Sequence, residues 1–396
     1  MHFQPLVVSA YTLCTAAGDG RAATLHALRE RRGGLRRNDF SHSPLETWIG
    51  RIAGLEHQPL PAHLAAWECR NNRLAWRGLL TDGFLAAVAA ARKRYGAHRI
   101  AVVLGTSTSS IGASEEAYRR LEPDGSYPPD LRRPIVHTPH SLGDFVQHAL
   151  QLHGLCVTVA TACSSSAKVF AQAERLLRAG LADAAVVGGV DTLCGSVLFG
   201  FNSLELVSPE PCRPFDAERR GINLGEAAGF ALLEREPARG PRFIGYGESS
   251  DAHHMSAPHP EGLGARMALE QALARSGMQP QDVDYLNLHG TASLRNDEVE
   301  ARLVAEIFPA GVFASSTKGW TGHTLGAAGI VEAAITLLAL EHGILPGTLN
   351  TRRLDAACGP QIRCENSAGE VRRAMSFSFG FGGSNCVLAF AREAQA

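Results

Sequence analysis

One cysteine and two histidines stand where apolar runs break into clusters of small residues, and together they are a set that can do acyl chemistry. Cys163 lies in Val159-Ala-Thr-Ala-Cys-Ser-Ser-Ser-Ala-Lys-Val-Phe170. His289 lies in Asn287-Leu-His-Gly-Thr-Ala-Ser293, and His323 in the glycine-rich stretch Ser315–Gly329. A thiolate can take an acyl group as a thioester, and two imidazoles can stabilise charge building on a second substrate. A metal site is a weaker reading, because the spacings are long and no ligand pair sits close on one helix. His253-His254 and His137/His140 come nearest to ligand pairs, and they read as structural loop residues.

The pattern around Cys163 implies how it is held. Val157–Val159 reads as a short buried strand, and 167–181 has apolar residues at helical spacing. Cys163 therefore belongs to a strand-to-helix turn, where unpaired N–H groups and the helix dipole favour a thiolate and lower the thiol pKa. His289 follows a strand at 283–288, and His323 sits in a loop opening a helix over 326–342. Strand ends of this kind are where α/β sheets place ligands.

The rest of the chain alternates in the same way. Strands are expected at 5–10, 100–104, 184–187, 230–234, 242–248 and 312–315, with a closing hairpin at 374–379 and 386–391. Helices are expected at 22–31, 65–80, 85–95, 142–152, 262–277 and 297–307. Residues 32–63 and 123–139 read as loops, and Arg235–Pro241 as a linker. Both parts carry a small-residue turn after a central strand. We therefore expect two related α/β halves, 1–240 with the cysteine and 241–396 with the histidines and a glycine-rich loop.

Composition excludes several classes. The 396 residues are 45% hydrophobic and 19% charged, enough for a large core. A net charge of -1 gives no case for nucleic acid or an anionic membrane. The sequence shows neither a signal peptide nor a run of about 18 apolar residues, so no membrane span is expected. Nine cysteines without a CxxC pair point to a reducing, cytoplasmic setting. Only Lys93, Lys168 and Lys318 are lysines among 38 basic residues, so each of the three is more notable than an arginine where a compact ammonium is needed.

Five motifs, TACSSS, CRPFDAERRGINLGEAAG, LNLHGTASLRND, STKGWTGHTLGAAG and SFSFGFGGSN, occur in order over nearly the whole chain. Together they resemble the β-ketoacyl-acyl-carrier-protein synthases, the elongating condensing enzymes of the thiolase superfamily. The resemblance implies an α-β-α-β-α sandwich, a dimer through the nucleophile half, and decarboxylative condensation of a Cys163-bound acyl chain with a malonyl thioester. His289 and His323 match the malonyl pair, and Lys318 the active-site lysine, acting electrostatically and structurally rather than as a base. Glu300 matches a buried acid that organises the lysine and loop. The N–H groups of Cys163 and Phe381 match the oxyanion hole, and the Phe381 ring matches an aromatic gate.

Thr291 and Ser293 match residues that bond the pantetheine arm, although relatives more often carry threonine at the second position. Phe201, Phe379 and Thr108 join them as substrate-binding candidates. Thr108 stands where a bulkier apolar residue often limits the acyl pocket, so a longer or unsaturated chain is expected to fit. Arg70-Asn-Asn-Arg-Leu-Ala75 is similar to ketosynthases of aryl polyene and related pathways. No cofactor is implied, since 4'-phosphopantetheine arrives on the carrier protein. Carrier docking would draw on Arg70, Arg73, Arg77, Arg119, Arg120, Arg132 and Arg133. The dimer is expected with itself or with a ketosynthase-like chain-length factor. A thiolase would want a second catalytic cysteine, a starter-unit enzyme an asparagine for His323, and a silent partner subunit would lack Cys163.

Overall fold

The computed structural model describes residues 3–40, 44–235 and 239–393. Ten strands form one sheet path: β1 (Leu6–Thr15), β2 (Ile100–Gly105), β3 (Cys156–Val159), β4 (Ala184–Asp191), β5 (Ala227–Glu234), β6 (Arg242–Ser250), β7 (Tyr285–Asn287), β8 (Phe313–Ser315), β9 (Arg373–Gly380) and β10 (Ser384–Ala391). In space they run β8-β7-β9-β10-β6-β1-β5-β4-β2-β3, with the short strand Gly18–Asp19 pairing β1. Counted along the chain, each set of five has the same order, 3-2-4-5-1. Each also has the same directions: the second strand is parallel to the third and fourth, and the fifth is antiparallel to both its neighbours. The two sets meet where Leu6 and Val7 of β1 pair antiparallel with Phe243 and Arg242 of β6.

Two helices fill the space between the sets. The nucleophile helix Ser165–Arg178 and the apolar helix Ala328–His342 pack on each other and on strands of both halves. The second helix is apolar nearly all round, as a helix enclosed on every side must be. Their side chains build a central cluster with Phe170, Phe243, Ile330, Leu337 and Phe390. Each such buried side chain contributes about 1.5–3 kcal/mol. Helices Arg70–Leu80, Phe84–Tyr95 and Ser141–Ala149 cover one outer face, and Leu263–Ser276 covers the other. The five-layered sandwich of the thiolase fold is the result.

Several local expectations shift. The nucleophile helix starts at Ser165 rather than 167. The expected helix at 65–80 is a 3-10 turn, Ala62–Trp67, followed by a separate helix from Arg70. Ile111–Arg119 and Gly195–Ser203 are unexpected helices: the first has few apolar residues, and those of the second run together rather than at helical spacing. Leu325–His342 is long and apolar enough to cross a membrane, contrary to expectation, but 89% of it is buried inside the fold. The linker reading at Arg235–Pro241 falls partly on 236–238, outside the described residues.

Candidate active site

Cys163, His289 and His323 converge from three strand ends. Cys163 follows β3 in a turn whose preceding residue, Ala162, is forced to φ +51°, a strained setting that lifts the thiol toward the cleft. The Cys163 sulfur lies 3.0 Å from His323 Nε2. The two imidazole rings stand edge to face with centroids 5.5 Å apart. All three side chains are buried, and each faces a cleft of about 350 Å³ that reaches the surface past Arg220 and Leu294.

Each histidine is clamped by its motif. The His289 and Gly290 N–H groups donate to the two oxygens of Glu300, both at 2.7 Å. Gly290 has φ +34°, and a Cβ there would meet the Ser316 side chain at 2.4 Å, so only glycine fits. His323 is held by the segment 223–225: its N–H donates to the Asn223 carbonyl at 2.7 Å, and its carbonyl accepts from Gly225 at 2.9 Å. Asn223 is itself fixed, accepting from Cys212 N at 2.5 Å and donating to Ser208 O at 3.1 Å. Cys212 and residues 223–225 of the long motif thus help to aim His323.

Lys318 sits behind the pair. Its ammonium donates to the His289 carbonyl at 2.5 Å and lies 3.3 Å from His289 Nδ1. An ammonium has only donors, so Nδ1 accepts and the proton of the neutral ring sits on Nε2, facing Cys163 and the cleft. The carboxylate that pairs with Lys318 is Glu332, from the apolar helix. This corrects the reading of Glu300, which organises the His289 loop but makes no ion pair with the lysine. Glu332 is visible in the sequence as an acid in the first half of an apolar helix, but no motif points to it.

Electrostatics also depart from expectation. Burial pushes the Cys163 thiol up to about 11, outweighing the Lys318 charge and the Phe381 N–H that favour a thiolate. Burial, and then the Lys318 charge, hold both imidazoles well below their ordinary value. The resting site is therefore a thiol beside two neutral rings. Alkylation of Cys163 by a small uncharged electrophile should rise about tenfold per pH unit from 7 to 10, with no break near 6.5. A plateau below pH 8 would contradict that. The three ligand atoms lie within 4.8 Å of one another, a span a metal ion could bridge. The adjacent ammonium opposes a divalent cation by like charge.

Glu300 is pushed up to about 8, chiefly by burial, from an ordinary 4.5. Its folded pKa lies above its unfolded one, so the folded state holds the extra proton between the two values. The stability it contributes is present below the unfolded value and is lost as pH rises through about 8. The thermal midpoint should fall from pH 6 to 9, and Glu300→Gln should flatten that slope.

The remaining candidates divide. Phe381 and Phe201 pack with ring centroids 5.5 Å apart and planes tilted by 34° at the cleft, and the Phe379 ring centroid lies 5.9 Å from that of His289. The Phe381 N–H favours the thiolate form of Cys163. Gly382 and Gly383, both at φ +77°, make this turn possible, and the Gly382 N–H is tied to the Met255 carbonyl at 2.8 Å. Thr291 and Ser293 line the cleft with their hydroxyls 2.9 Å apart. Thr108 does not line it: its N–H and hydroxyl donate to Asp191 at 3.1 and 2.7 Å, so its size does not set the described cleft. Most of the arginines expected to dock a carrier bond within the chain instead. Arg70 binds Glu226 and Glu56, Arg73 binds Glu68, Arg77 binds Asp19, and Arg120 binds Asp130.

Known proteins share this arrangement. The β-ketoacyl synthase N-terminal domain matches residues 73–238 and the C-terminal domain matches 242–352. Nodulation protein E of Rhizobium meliloti (strain 1021) is 35% identical over 307 residues, 74% of this chain and 75% of that protein. The chain belongs to the β-ketoacyl synthase family. The mitochondrial 3-oxoacyl-[acyl-carrier-protein] synthase of Arabidopsis thaliana is 40% identical to this synthase over 253 residues, 58% of this chain and 55% of that protein. A ketosynthase from Xenorhabdus doucetiae, solved in complex with its chain length factor, superposes with a TM-score of 0.89 at 35% identity over 98% of both chains. A β-ketoacyl synthase from Burkholderia phymatum STM815 gives a TM-score of 0.87 at 28% identity, covering 98% of this chain and 99% of that chain. This synthase is a ketosynthase condensing enzyme, an acyltransferase that forms a carbon–carbon bond.

Proposed function

We propose that this ketosynthase extends a carrier-bound acyl chain by two carbons from a malonyl thioester. The observation that carries the reading is the Cys163–His323 contact of 3.0 Å with His289 and Lys318 beside it. As an acyl thioester enters the cleft, His323 Nε2 accepts the thiol proton and the sulfur attacks the carbonyl. The Cys163 and Phe381 N–H groups stabilise the oxyanion, and the carrier leaves as a thiolate that takes a proton from solvent, so His323 keeps its Nε2 proton for the next step. The malonyl thioester oxygen then sits between the two imidazoles. Carbon dioxide departs, and the resulting enolate attacks the Cys163 acyl carbonyl; the Cys163 thiolate is expelled and recovers its proton from His323 Nε2, leaving a β-ketoacyl chain on the second carrier. The 4'-phosphopantetheine arm reaches in past Thr291 and Ser293, so the chain needs no cofactor of its own. We place the enzyme in a reducing compartment, consistent with nine free thiols.

A second reading concerns the assembly. Strand β3 is a half-exposed sheet edge, and Ile111, Tyr118 and Leu121 are exposed large apolar residues around the helix Ile111–Arg119. We infer that a second thiolase-fold chain covers this face. The Xenorhabdus relative, solved with its chain length factor, favours a non-identical, chain-length-factor-like partner. The test of both readings is intact-protein mass measurement after mixing with a panel of carrier-protein acyl thioesters, with Cys163→Ala alongside. Adducts on the wild type alone, mapped to Cys163, support the condensing reading. A folded wild type that takes no acyl group by itself, but does so with an added chain-length-factor-like subunit, supports the heterodimer.

A further inference from the structure

We propose that Asp191 is a positioning residue for the condensation, holding the His323 loop in place from the opposite side to Asn223. The proposal rests on the reading that His323 serves the malonyl thioester. Asp191 ends β4 and is fully buried. Among the described residues no arginine or lysine pairs with it. Its charge is met instead by hydrogen bonds from two separate loops.

From the turn after β2, it accepts from Ser107 N at 2.9 Å, Ser107 Oγ at 2.8 Å, Thr108 N at 3.1 Å and Thr108 Oγ1 at 2.7 Å, and from the Thr106 hydroxyl. From the other side, Gly326 N donates to it at 2.7 Å, three residues after His323. Gly326 N also lies 3.2 Å from Ser107 Oγ, so that hydroxyl bridges the two loops.

The approach at Gly326 is close. A Cβ there would stand 2.7 Å from Asp191 Oδ2 and 2.6 Å from Ser107 N. Leu325, between His323 and this contact, is held at φ +59°, a conformation that a leucine adopts only under constraint. His323 is thus fixed on both flanks, by 223–225 before it and by Asp191 after it. Nothing comparable ties Asp191 to His289, whose loop hangs on Glu300 and Lys318. Burying a carboxylate without a counter-ion is expensive, and here what it gains is the register of one catalytic ring.

The test is a double-mutant cycle on malonyl decarboxylation, followed as labelled carbon dioxide in single turnovers with enzyme in excess. Wild type, Asp191→Asn, His323→Ala and the double variant are compared. A residue acting through His323 should have nothing left to act on once the ring is gone. Asp191→Asn is expected to slow release about 10- to 100-fold in the wild-type background, by displacing the ring. In the His323→Ala background the same change should cost less than about twofold. Equal losses in both backgrounds, or no loss in the first, would overturn the proposal. Ser107→Ala removes only the bridging hydroxyl and serves as the second probe if Asp191→Asn does not fold. A wild type that loads Cys163 but releases no carbon dioxide would instead sink the malonyl reading.

Discussion

Glu332→Ala is expected to cost about 3–5 kcal/mol of folding stability, because it leaves the Lys318 ammonium buried without its counter-charge. The two side chains are 2% and 3% exposed, so water cannot replace the lost partner. The ammonium would keep only the His289 carbonyl and ring nitrogen. Burial holds Glu332 up at about 7 even beside Lys318, so the pair is already costly to charge, and removing half of it is worse than never having built it. Urea unfolding at pH 7.5 measures the effect. Glu332→Gln keeps an acceptor of the same shape and should lose less. A Glu332→Ala protein within about 1 kcal/mol of wild type would mean that Lys318 is neutral or reaches solvent.

His323→Ala should lower malonyl decarboxylation about 10²- to 10³-fold, the usual cost of removing one donor from a charge-stabilising pair. Its Nε2 is 3.0 Å from the sulfur, so the variant also loses the acceptor for the thiol proton. With the thiol held near 11, acyl loading should then become steeply dependent on pH. His289→Ala should injure decarboxylation similarly while leaving loading closer to wild type. Following carbon dioxide release and Cys163 acylation separately distinguishes the two rings. If both variants load and decarboxylate alike, the division of labour between them is wrong.

The nucleophile turn, the two histidines and the halves were legible because each rests on local pattern: a β-branched run, small residues, then helical spacing. The supporting charges were not. Glu332 is 14 residues from Lys318, and Asp191 is 85 from Thr106. A carboxylate's partner at that separation leaves no periodic trace in sequence. The thiol was misjudged for a related reason. Proximity to a helix start can be read from the chain, but complete burial comes from strands and loops far away, and burial wins. Thr108 was assigned to the acyl pocket through the family resemblance, and its hydroxyl's bond to Asp191, 83 residues away, left no trace in the sequence. The arginines fared likewise, since their carboxylates come from other elements.

The repeated strand order has a consequence for how the chain must be made. The third strand of one set leads to Cys163, and the third strand of the other leads to Lys318 and His323. Chemistry is therefore written at the same address in two copies of one plan, with a different word in each. Neither copy is self-sufficient, because the helices Ser165–Arg178 and Ala328–His342 supply each other's cover and share one cluster with strands of both sets. A ribosome that had released only the first copy would present a bare apolar wall and a lone thiol. Synthesis of the second copy both finishes the interior and arms the thiol, so a truncated product should be an insoluble one rather than a half-active one.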